Sequence, residues 1–163
     1  MPLQPNKEMI DAVMVSAKKY SVEPALIMAH MKRESDFRPQ AVREEPQIND
    51  ASIGLMQVLV KTARWIMNDS TITRDQLFNI RFNVDVGTRY IAKNMKRYNN
   101  DYHKAIAAYN AGSARYKKGT STFINQPYVD FVYGWYLRYK DVYKENEGGM
   151  ETALILVAMA LLI

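Results

Sequence analysis

The chain has no cysteine and only two histidines among its 163 residues. Without thiols it can form no disulfide, no thiolate metal site and no cysteine nucleophile. Two histidines also leave little basis for a histidine-based metal site. His30 lies one turn before Glu34, but two candidate ligands are too few for a typical site. We therefore expect neither a metal nor another cofactor.

Long hydrophobic segments are also lacking. The N-terminus has no basic region followed by an apolar run, so we predict no cleavable signal peptide. The apolar run Ala153–Ile163 has eleven residues, whereas a membrane-spanning helix needs about 20. Because Gly148-Gly149 precedes this run, we divide the chain into a domain over 1–146 and a hinged tail over 147–163. The tail is expected to be a C-terminal apolar helix.

The sequence leaves four roles open for this tail. These are an interfacial anchor, a plug against a partner protein, the start of a longer spanning helix, and an ordinary buried terminal helix. The first three predict a membrane, virion or secretion-complex partner that binds through residues 150–163.

The net charge is modestly positive, +5 at pH 7. A positive surface suits an anionic polymer such as nucleic acid, a membrane surface or cell-wall glycan. An ordinary soluble surface explains the same excess. No recognised basic motif accompanies it, so we do not expect nucleic-acid binding.

Apolar residues recur at three- and four-residue spacing along most of the chain, as in amphipathic helices. Ile10, Val13 and Ala17, for example, share one face of the first predicted helix. No polar–apolar alternation is long enough to predict a strand. We therefore predict an all-α domain with exposed loops over 38–53 and 111–122. The predicted helices cover residues 6–19, 24–34, 54–68, 74–78, 83–98, 102–110 and 126–145.

One helix pattern leads to an acid and then stops. The stretch Leu26–Phe37 is apolar up to Glu34, and Pro39 follows soon after. Since the residue before a proline disfavours helical backbone, we expect Glu34 on the last turn of a largely buried helix. Burial disfavours a charged carboxylate and raises its pKa. An acid that keeps its proton near neutral pH can act as a general acid.

Polar groups with sugar-binding chemistry stand at other predicted helix ends. Gln57 and Asn110 donate and accept hydrogen bonds, as sugar hydroxyl and acetamido groups require. Tyr109 and Tyr128 offer a flat apolar face and a hydroxyl. The four stretches that share this character are Glu34-Ser35, Gly54–Gln57, Ala107–Gly112 and Gln126–Val129.

In chain order these stretches contain ES, GLMQ, AYNAG and PYV. The ordered set resembles the lytic transglycosylase domain of the soluble, goose-lysozyme-like kind. Phe78-Asn79-Ile80, followed by Gly87 and Tyr90-Ile91, is similar to another motif of that family. The resemblance spans roughly residues 8–140. It implies a lysozyme-like (goose-type) helical domain whose central buried helix ends at the catalytic glutamate.

The resemblance also implies an activity, cleavage of the β-1,4 bond between N-acetylmuramic acid and N-acetylglucosamine in peptidoglycan. Glu34 would protonate the glycosidic oxygen and then, as a carboxylate, accept the proton of the muramoyl C6 hydroxyl. That hydroxyl attacks C1 and leaves a 1,6-anhydro end, so no second carboxylate is needed, unlike in two-carboxylate glycosidases. The substrate-binding residues implied by similarity are Ser35, Met56, Gln57, Tyr109, Asn110 and Tyr128.

The sequence departs from the family pattern around the GLMQ motif. Ala51-Ser52-Ile53 replaces the usual Gly-Ala-x before it, and Leu59-Val60 replaces Met-Pro after it. Ser113-Ala114 follows AYNAG in place of Pro-Gly, and the loop over 43–50 is longer than is typical. These differences concern loop geometry and subsites more than the chemistry.

Two alternatives stay open. A goose-type lysozyme would hydrolyse the same bond with water held by an extra acid, such as Glu45 or Asp50. A non-catalytic module would bind peptidoglycan or serve as a scaffold. In each case we expect the protein to act at the cell envelope, in the periplasm. Because no signal peptide is predicted, delivery by a phage virion or a secretion complex is expected.

Overall fold

The structure is a computed structural model that describes residues 5–146, with side chains up to Val142. Six α-helices and a three-stranded antiparallel sheet form this part of the chain. The mostly helical architecture confirms the predicted class. No helix within residues 5–146 is long and apolar enough to cross a bilayer. The predicted tail, 147–163, lies outside the described residues.

Apart from the helix predicted over 54–68, which begins later than predicted, and the predicted helix over 74–78, which is a 3-10 segment, the helices lie close to their predicted positions. Side-chain caps explain several of their first residues. Asn6, Asn79 and Asp101 each accept a hydrogen bond from a backbone N–H in the first turn of a helix. Such caps satisfy donors that have no partner within the helix. The helices are α1 (Lys7–Tyr20), α2 (Pro24–Ser35), α3 (Val60–Met67), α4 (Ile80–Arg97), α5 (Tyr102–Ala111) and α6 (Gln126–Asn146).

Helix α2 is central and packs against α1 and α6. Every residue over 25–31 is buried, so the helix has no solvent face until its last turn. Glu34 lies on that turn, as predicted. The helix ends because Asp36 and Phe37 adopt left-handed backbone, with φ of 51° and 60°. Burial of the Phe37 ring and an ion pair of 2.6 Å between Lys32 and Asp36 stabilise this reversal.

The predicted loop over 38–53 is wrong, because much of it forms a sheet. The strands are β1 (Val42–Glu45), β2 (Asp50–Ile53) and β3 (Val58–Leu59), in the order β1-β2-β3. In β1 three of the four residues are exposed, so no buried face marks it as a strand in the sequence. A 3-10 turn, Pro46–Ile48, connects β1 to β2, and its proline favours a loop prediction. The other predicted loop, 111–122, is mostly irregular: it contains only the last residue of α5, Ala111, and an isolated antiparallel bridge from Tyr116 to Phe123.

The helix predicted from Gly54 begins only at Val60. Gly54 and Gln57 both have left-handed backbone, with φ of 76° and 45°, which interrupts a right-handed helix. Residues 54–57 instead form the turn between β2 and β3, closed by a hydrogen bond of 3.2 Å from Gln57 N to Gly54 O. The GLMQ motif is therefore a hairpin turn.

One buried amide on α4 holds this turn in place. Asn83 Oδ1 accepts from Met56 N at 2.8 Å, and its Nδ2 donates to the carbonyls of Ile53 and Leu77, both at 2.8 Å. Asn83 is 1% exposed, so water does not compete for these bonds. The amide thus joins α4 to the end of β2, the turn and the 3-10 segment Asp75–Phe78.

Two glycines allow α4 and the turn to approach this closely. A Cβ on Gly54 would lie 2.5 Å from Asn83 Nδ2 and 2.8 Å from Leu77 O. A Cβ on Gly87 would lie 2.7 Å from the Met56 Cβ. All three distances are far below ordinary van der Waals contact. The glycines therefore fix the distance between the turn and α4.

Replacing Asn83 with leucine is predicted to cost about 2–4 kcal/mol of unfolding free energy, because buried backbone groups lose their partners. Urea denaturation monitored by circular dichroism measures this loss. The matched control is Asn94→Leu on the same helix, where Nδ2 has no hydrogen-bond partner among the described residues. Equal losses in the two variants would contradict the role given to Asn83.

Candidate active site

A cleft of about 340 Å³ opens where the end of α2 meets the sheet. Glu34 lines it together with three more of the predicted residues, Gln57, Tyr109 and Asn110. The other residues important to its chemistry are Arg43, Glu45 and Ser52 from the sheet and Tyr90 from α4. The cleft therefore brings together residues from α2, the sheet, α4 and α5.

Glu34 is held by a tyrosine of another helix. The Tyr128 hydroxyl, near the start of α6, donates a hydrogen bond of 2.5 Å to Glu34 Oε1. Tyr128 reaches Glu34 because α6 packs along α2. Within the described part of the chain, Oε2 accepts no hydrogen bond. One carboxyl oxygen is thus occupied by the protein, and the other is left for a ligand.

The surroundings of Glu34 favour its protonated form. Burial raises its pKa above the ordinary value, as the sequence predicted. The Tyr128 hydrogen bond and the charges of Arg33 and Arg43 act in the opposite direction and limit the rise. A carboxyl with a raised pKa can hold a proton near neutral pH and give it to a bound group.

A buried histidine continues the contacts behind Glu34. His30 Nδ1 lies 3.1 Å from the Tyr128 hydroxyl, and its ring centroid lies 4.4 Å from that of Tyr109. Burial lowers the pKa of His30 to about 3, so this imidazole is neutral at physiological pH. Tyr109 is itself held by a hydrogen bond of 2.8 Å from its hydroxyl to Met56 O.

Ser35 and Met56, both predicted to bind substrate, are buried behind the cleft. The Ser35 hydroxyl donates to Leu55 O at 2.9 Å, which ties the end of α2 to the turn over 54–57. Met56 is fully buried, and its side chain packs against Gly87. Neither side chain lines the cleft, and Tyr128, which is 5% exposed, reaches it only through Glu34.

Gln57, from the turn over 54–57, and Asn110, from α5, both line the cleft. Gln57 Nε2 donates to Ala41 O and Gly54 O, at 3.1 and 3.0 Å. Asn110 is exposed, and its Oδ1 accepts from Asn125 Nδ2 at 2.9 Å. Each amide therefore keeps one end fixed by the protein.

The sheet contributes a pair of charges that sequence reasoning did not place. Arg43 and Glu45 are two residues apart on β1 and line the cleft beside Ser52, which pairs with Arg43 across the strands. Arg43 Nε donates to Glu45 Oε1 at 2.7 Å, and this bond lowers the pKa of Glu45. The sequence shows the two-residue spacing, but only a strand prediction would have placed both side chains on one face of the sheet.

Asp50, the other acid considered for holding water, caps a helix instead. Its Oδ1 accepts from Ala51 N at 2.8 Å and from Val60 N at 3.1 Å, and its Oδ2 accepts from Lys61 N at 3.0 Å. Asp50 thus satisfies the first backbone donors of α3. Both of its oxygens are engaged in the fold.

Among the side chains that the structure describes, up to Val142, no three histidine or acidic groups are placed to hold a metal ion. The polar groups that line the cleft are carboxyl, hydroxyl, amide and guanidinium groups.

Two solved structures show which class of fold this is. The lytic transglycosylase Slt of Pseudomonas aeruginosa, an inactive mutant, matches 80% of this chain and 24% of its own, with a TM-score of 0.68 and 23% identity. The 70 kDa soluble lytic transglycosylase SLT70 of Escherichia coli matches 92% of this chain and 23% of its own, with a TM-score of 0.56 and 20% identity. At these identities the likeness shows the fold alone, which is lysozyme-like.

The sequence comparisons identify the family. Residues 11–128 match the transglycosylase SLT domain, and the chain belongs to this family. It is 33% identical over 120 residues to the membrane-bound lytic murein transglycosylase C of Edwardsiella ictaluri. The alignment covers 64% of this chain and 31% of that protein, so the chain spans about a third of the length of this curated relative.

Replacing Glu34 with glutamine is predicted to stabilise the fold increasingly as pH rises. Since burial raises the pKa of Glu34, the folded wild type binds this proton more tightly than the unfolded chain does. The wild type therefore loses stability as pH rises from the ordinary pKa through the raised one, whereas glutamine does not titrate. Urea denaturation across this window measures the difference, whose slope is at most about 1.4 kcal/mol per pH unit.

Glu8→Gln is the control for this measurement, because Glu8 lies on the exposed surface of α1. This variant shows what the loss of one carboxyl at an exposed position does to the unfolding measurement. A stability difference between Glu34→Gln and wild type that is constant or falls with pH would contradict a raised pKa.

Proposed function

We propose that this chain is a peptidoglycan lytic transglycosylase. The observation that carries the proposal is Glu34, a carboxyl with a raised pKa whose Oε1 is held by Tyr128 and whose Oε2 is left to the cleft. Membership in the transglycosylase SLT domain family supports it. The substrate bond is the β-1,4 linkage between N-acetylmuramic acid and N-acetylglucosamine.

In the proposed reaction Glu34 acts twice. Its proton passes to the glycosidic oxygen, the C1–O bond breaks, and the N-acetylglucosamine side leaves as an alcohol. The Glu34 carboxylate then accepts the proton of the muramoyl C6 hydroxyl, whose oxygen bonds to C1. The product is a 1,6-anhydro ring, no water is consumed, and Glu34 is again protonated.

The remaining predicted residues take binding and supporting roles. Gln57 Oε1, Asn110 Nδ2 and the face of Tyr109 are the groups we propose to contact sugar. Ser35 and Met56 are proposed to act indirectly, by holding the turn over 54–57 against α2 and α4. Tyr128 is proposed to orient Glu34 rather than to bind a sugar ring.

Hydrolysis is the second candidate reaction, and the position of Glu45 favours it. Glu45 is a second carboxyl that lines the same cleft, and its lowered pKa keeps it ionised. An ionised acid can hold and activate a water molecule. Its contacts with Arg43, Gln47 and Ser52 occupy both of its oxygens, and for this reason we prefer the transglycosylase reaction.

Digestion of purified peptidoglycan tests the two candidates. We expect muropeptides with 1,6-anhydro ends in mass spectra, and we expect Glu34→Gln to lower turnover by at least about a hundredfold, the usual contribution of general acid–base catalysis. Reducing ends in place of anhydro ends would favour hydrolysis. Intact strands after prolonged incubation with wild type would favour a non-catalytic module.

Glu45→Gln separates the two reactions further. The transglycosylase proposal expects this variant to form the same anhydro product at a rate within about tenfold of wild type. Loss of product formation in Glu45→Gln, together with reducing ends from the wild type, would establish Glu45 as the acid that holds water.

We also propose the cell envelope as the site of action, since peptidoglycan lies there. Delivery by a phage particle or a secretion complex, and attachment through residues 150–163, are further proposals on segments outside the described structure. Deletion of residues 150–163 tests the attachment: unchanged membrane or particle association would exclude it.

A further inference from the structure

Three groups form a row that ends at the Glu34 carboxyl, and the proposed function gives a role to only two of them, Glu34 and Tyr128. Glu34 Oε1 lies 2.5 Å from the Tyr128 hydroxyl, which lies 3.1 Å from His30 Nδ1. The His30 ring, on α2, is 1% exposed. This imidazole is less exposed than Tyr128, and it does not line the cleft. Its place in the row requires an explanation.

In the ionised form of Glu34, the proton count along the row fixes which group donates to which. The carboxylate has no proton, so the single proton of the Tyr128 hydroxyl lies towards Glu34 Oε1. The contact of 3.1 Å between Tyr128 and His30 then needs its proton from Nδ1. A neutral imidazole carries one N–H, so in this state His30 is the Nδ1–H tautomer.

We propose that His30 is a positioning residue: its Nδ1–H donates to the Tyr128 oxygen and thereby keeps the Tyr128 proton directed at Glu34 Oε1. This inference rests on the proposed role of Glu34. Because His30 keeps the Tyr128 donor on Oε1 when Glu34 takes up its proton, that proton resides on Oε2, the oxygen left for the glycosidic bond. His30 therefore determines which carboxyl oxygen carries the reactive proton.

The His30 ring is held firmly enough for this role. Its centroid lies 4.4 Å from the Tyr109 ring, and the Tyr109 hydroxyl is anchored to Met56 O at 2.8 Å. Burial keeps the imidazole neutral, so it does not gain a second proton at pH values where Glu34 works. A neutral ring also adds no positive charge, which would lower the pKa of Glu34 and weaken it as an acid.

The other groups around Glu34 do not replace this donor. Arg33 on α2 and Arg43 on β1 act on Glu34 through their charge. Glu45 lines the cleft from the sheet, and Tyr109 faces it from α5 with its proton given to Met56 O. Of the described groups, Tyr128 alone donates a hydrogen bond to Glu34.

Nitrogen NMR of the imidazole rings tests the arrangement without any activity assay. His103→Gln leaves His30 as the sole histidine, since the chain has two. We expect a protonated Nδ1 and an unprotonated Nε2 at neutral pH, with no titration near the ordinary histidine pKa. A neutral ring protonated at Nε2, or titration near the ordinary value, would overturn the proposal.

Two substitutions at His30 then test its effect on Glu34. His30→Asn places an amide N–H near the former Nδ1, whereas His30→Leu removes the donor. In the leucine variant we expect the pKa of Glu34 to rise, since Tyr128 becomes a weaker donor to the carboxylate, and kcat to fall about tenfold with KM little changed. The asparagine variant should retain most of the wild-type kcat and pH profile.

Unfolding measurements and a Tyr128→Phe background separate positioning from packing. If His30 acts through Tyr128, His30→Leu lowers kcat much less in the Tyr128→Phe protein than in the wild type. An equal loss in both backgrounds, or equal losses in kcat for His30→Asn and His30→Leu, would assign His30 a packing role alone. If the wild type cleaves no peptidoglycan, the proposed function fails. The His30 tautomer measured by NMR and the titration of Glu34 would still test the proposed order of donors from His30 through Tyr128 to Glu34.

Discussion

The cleft depends on three hydrogen bonds made by one buried amide, that of Asn83. Its oxygen holds Met56 N, and its nitrogen holds the carbonyls of Ile53 and Leu77. The turn over 54–57 has left-handed backbone at both ends and would not be stable alone. Because Asn83 binds it from α4, Gln57 and the carbonyl that anchors Tyr109 take fixed positions opposite Glu34. A change at this amide would move several walls of the cleft together.

Glu34 combines two opposing requirements. For the role that we propose, it has to be buried enough to hold a proton, yet an unpartnered buried carboxylate is strongly unfavourable. Tyr128 resolves this conflict by donating to one oxygen, and the neutral His30 behind it adds no charge. The acid is thus supported by hydrogen bonds rather than by an ion pair, since an adjacent cation would hold it ionised. The arginines nearby act on it through their charge alone and limit the rise in its pKa.

Much of the helical framework followed from apolar spacing and from capping residues such as Asp101. Glu34 at the end of a buried helix was predictable for the same reason. The sheet was not, because β1 is short and mostly exposed and its sequence, VREE, has no repeated alternation of polar and apolar residues. The positions of Ser35 and Met56 behind the cleft depend on contacts between distant segments, with Leu55 O and Gly87. Such contacts leave no local pattern in a single sequence.

Side chains along β1 alternate between the cleft and the opposite face of the sheet, and this has a consequence for insertions and deletions. Arg43 and Glu45 line the cleft, whereas Glu44 faces the other side and pairs with Arg74. Since successive side chains of a strand point to opposite faces, a shift in pairing by one residue exchanges the two faces. Glu44 would then enter the cleft in place of Glu45, but Val42 would replace Arg43. The acid would be retained and the cation lost. A shift by two residues keeps the same face towards the cleft but brings Arg43 to the position of Glu45 and Ala41 to that of Arg43, so it also changes the charge of the cleft.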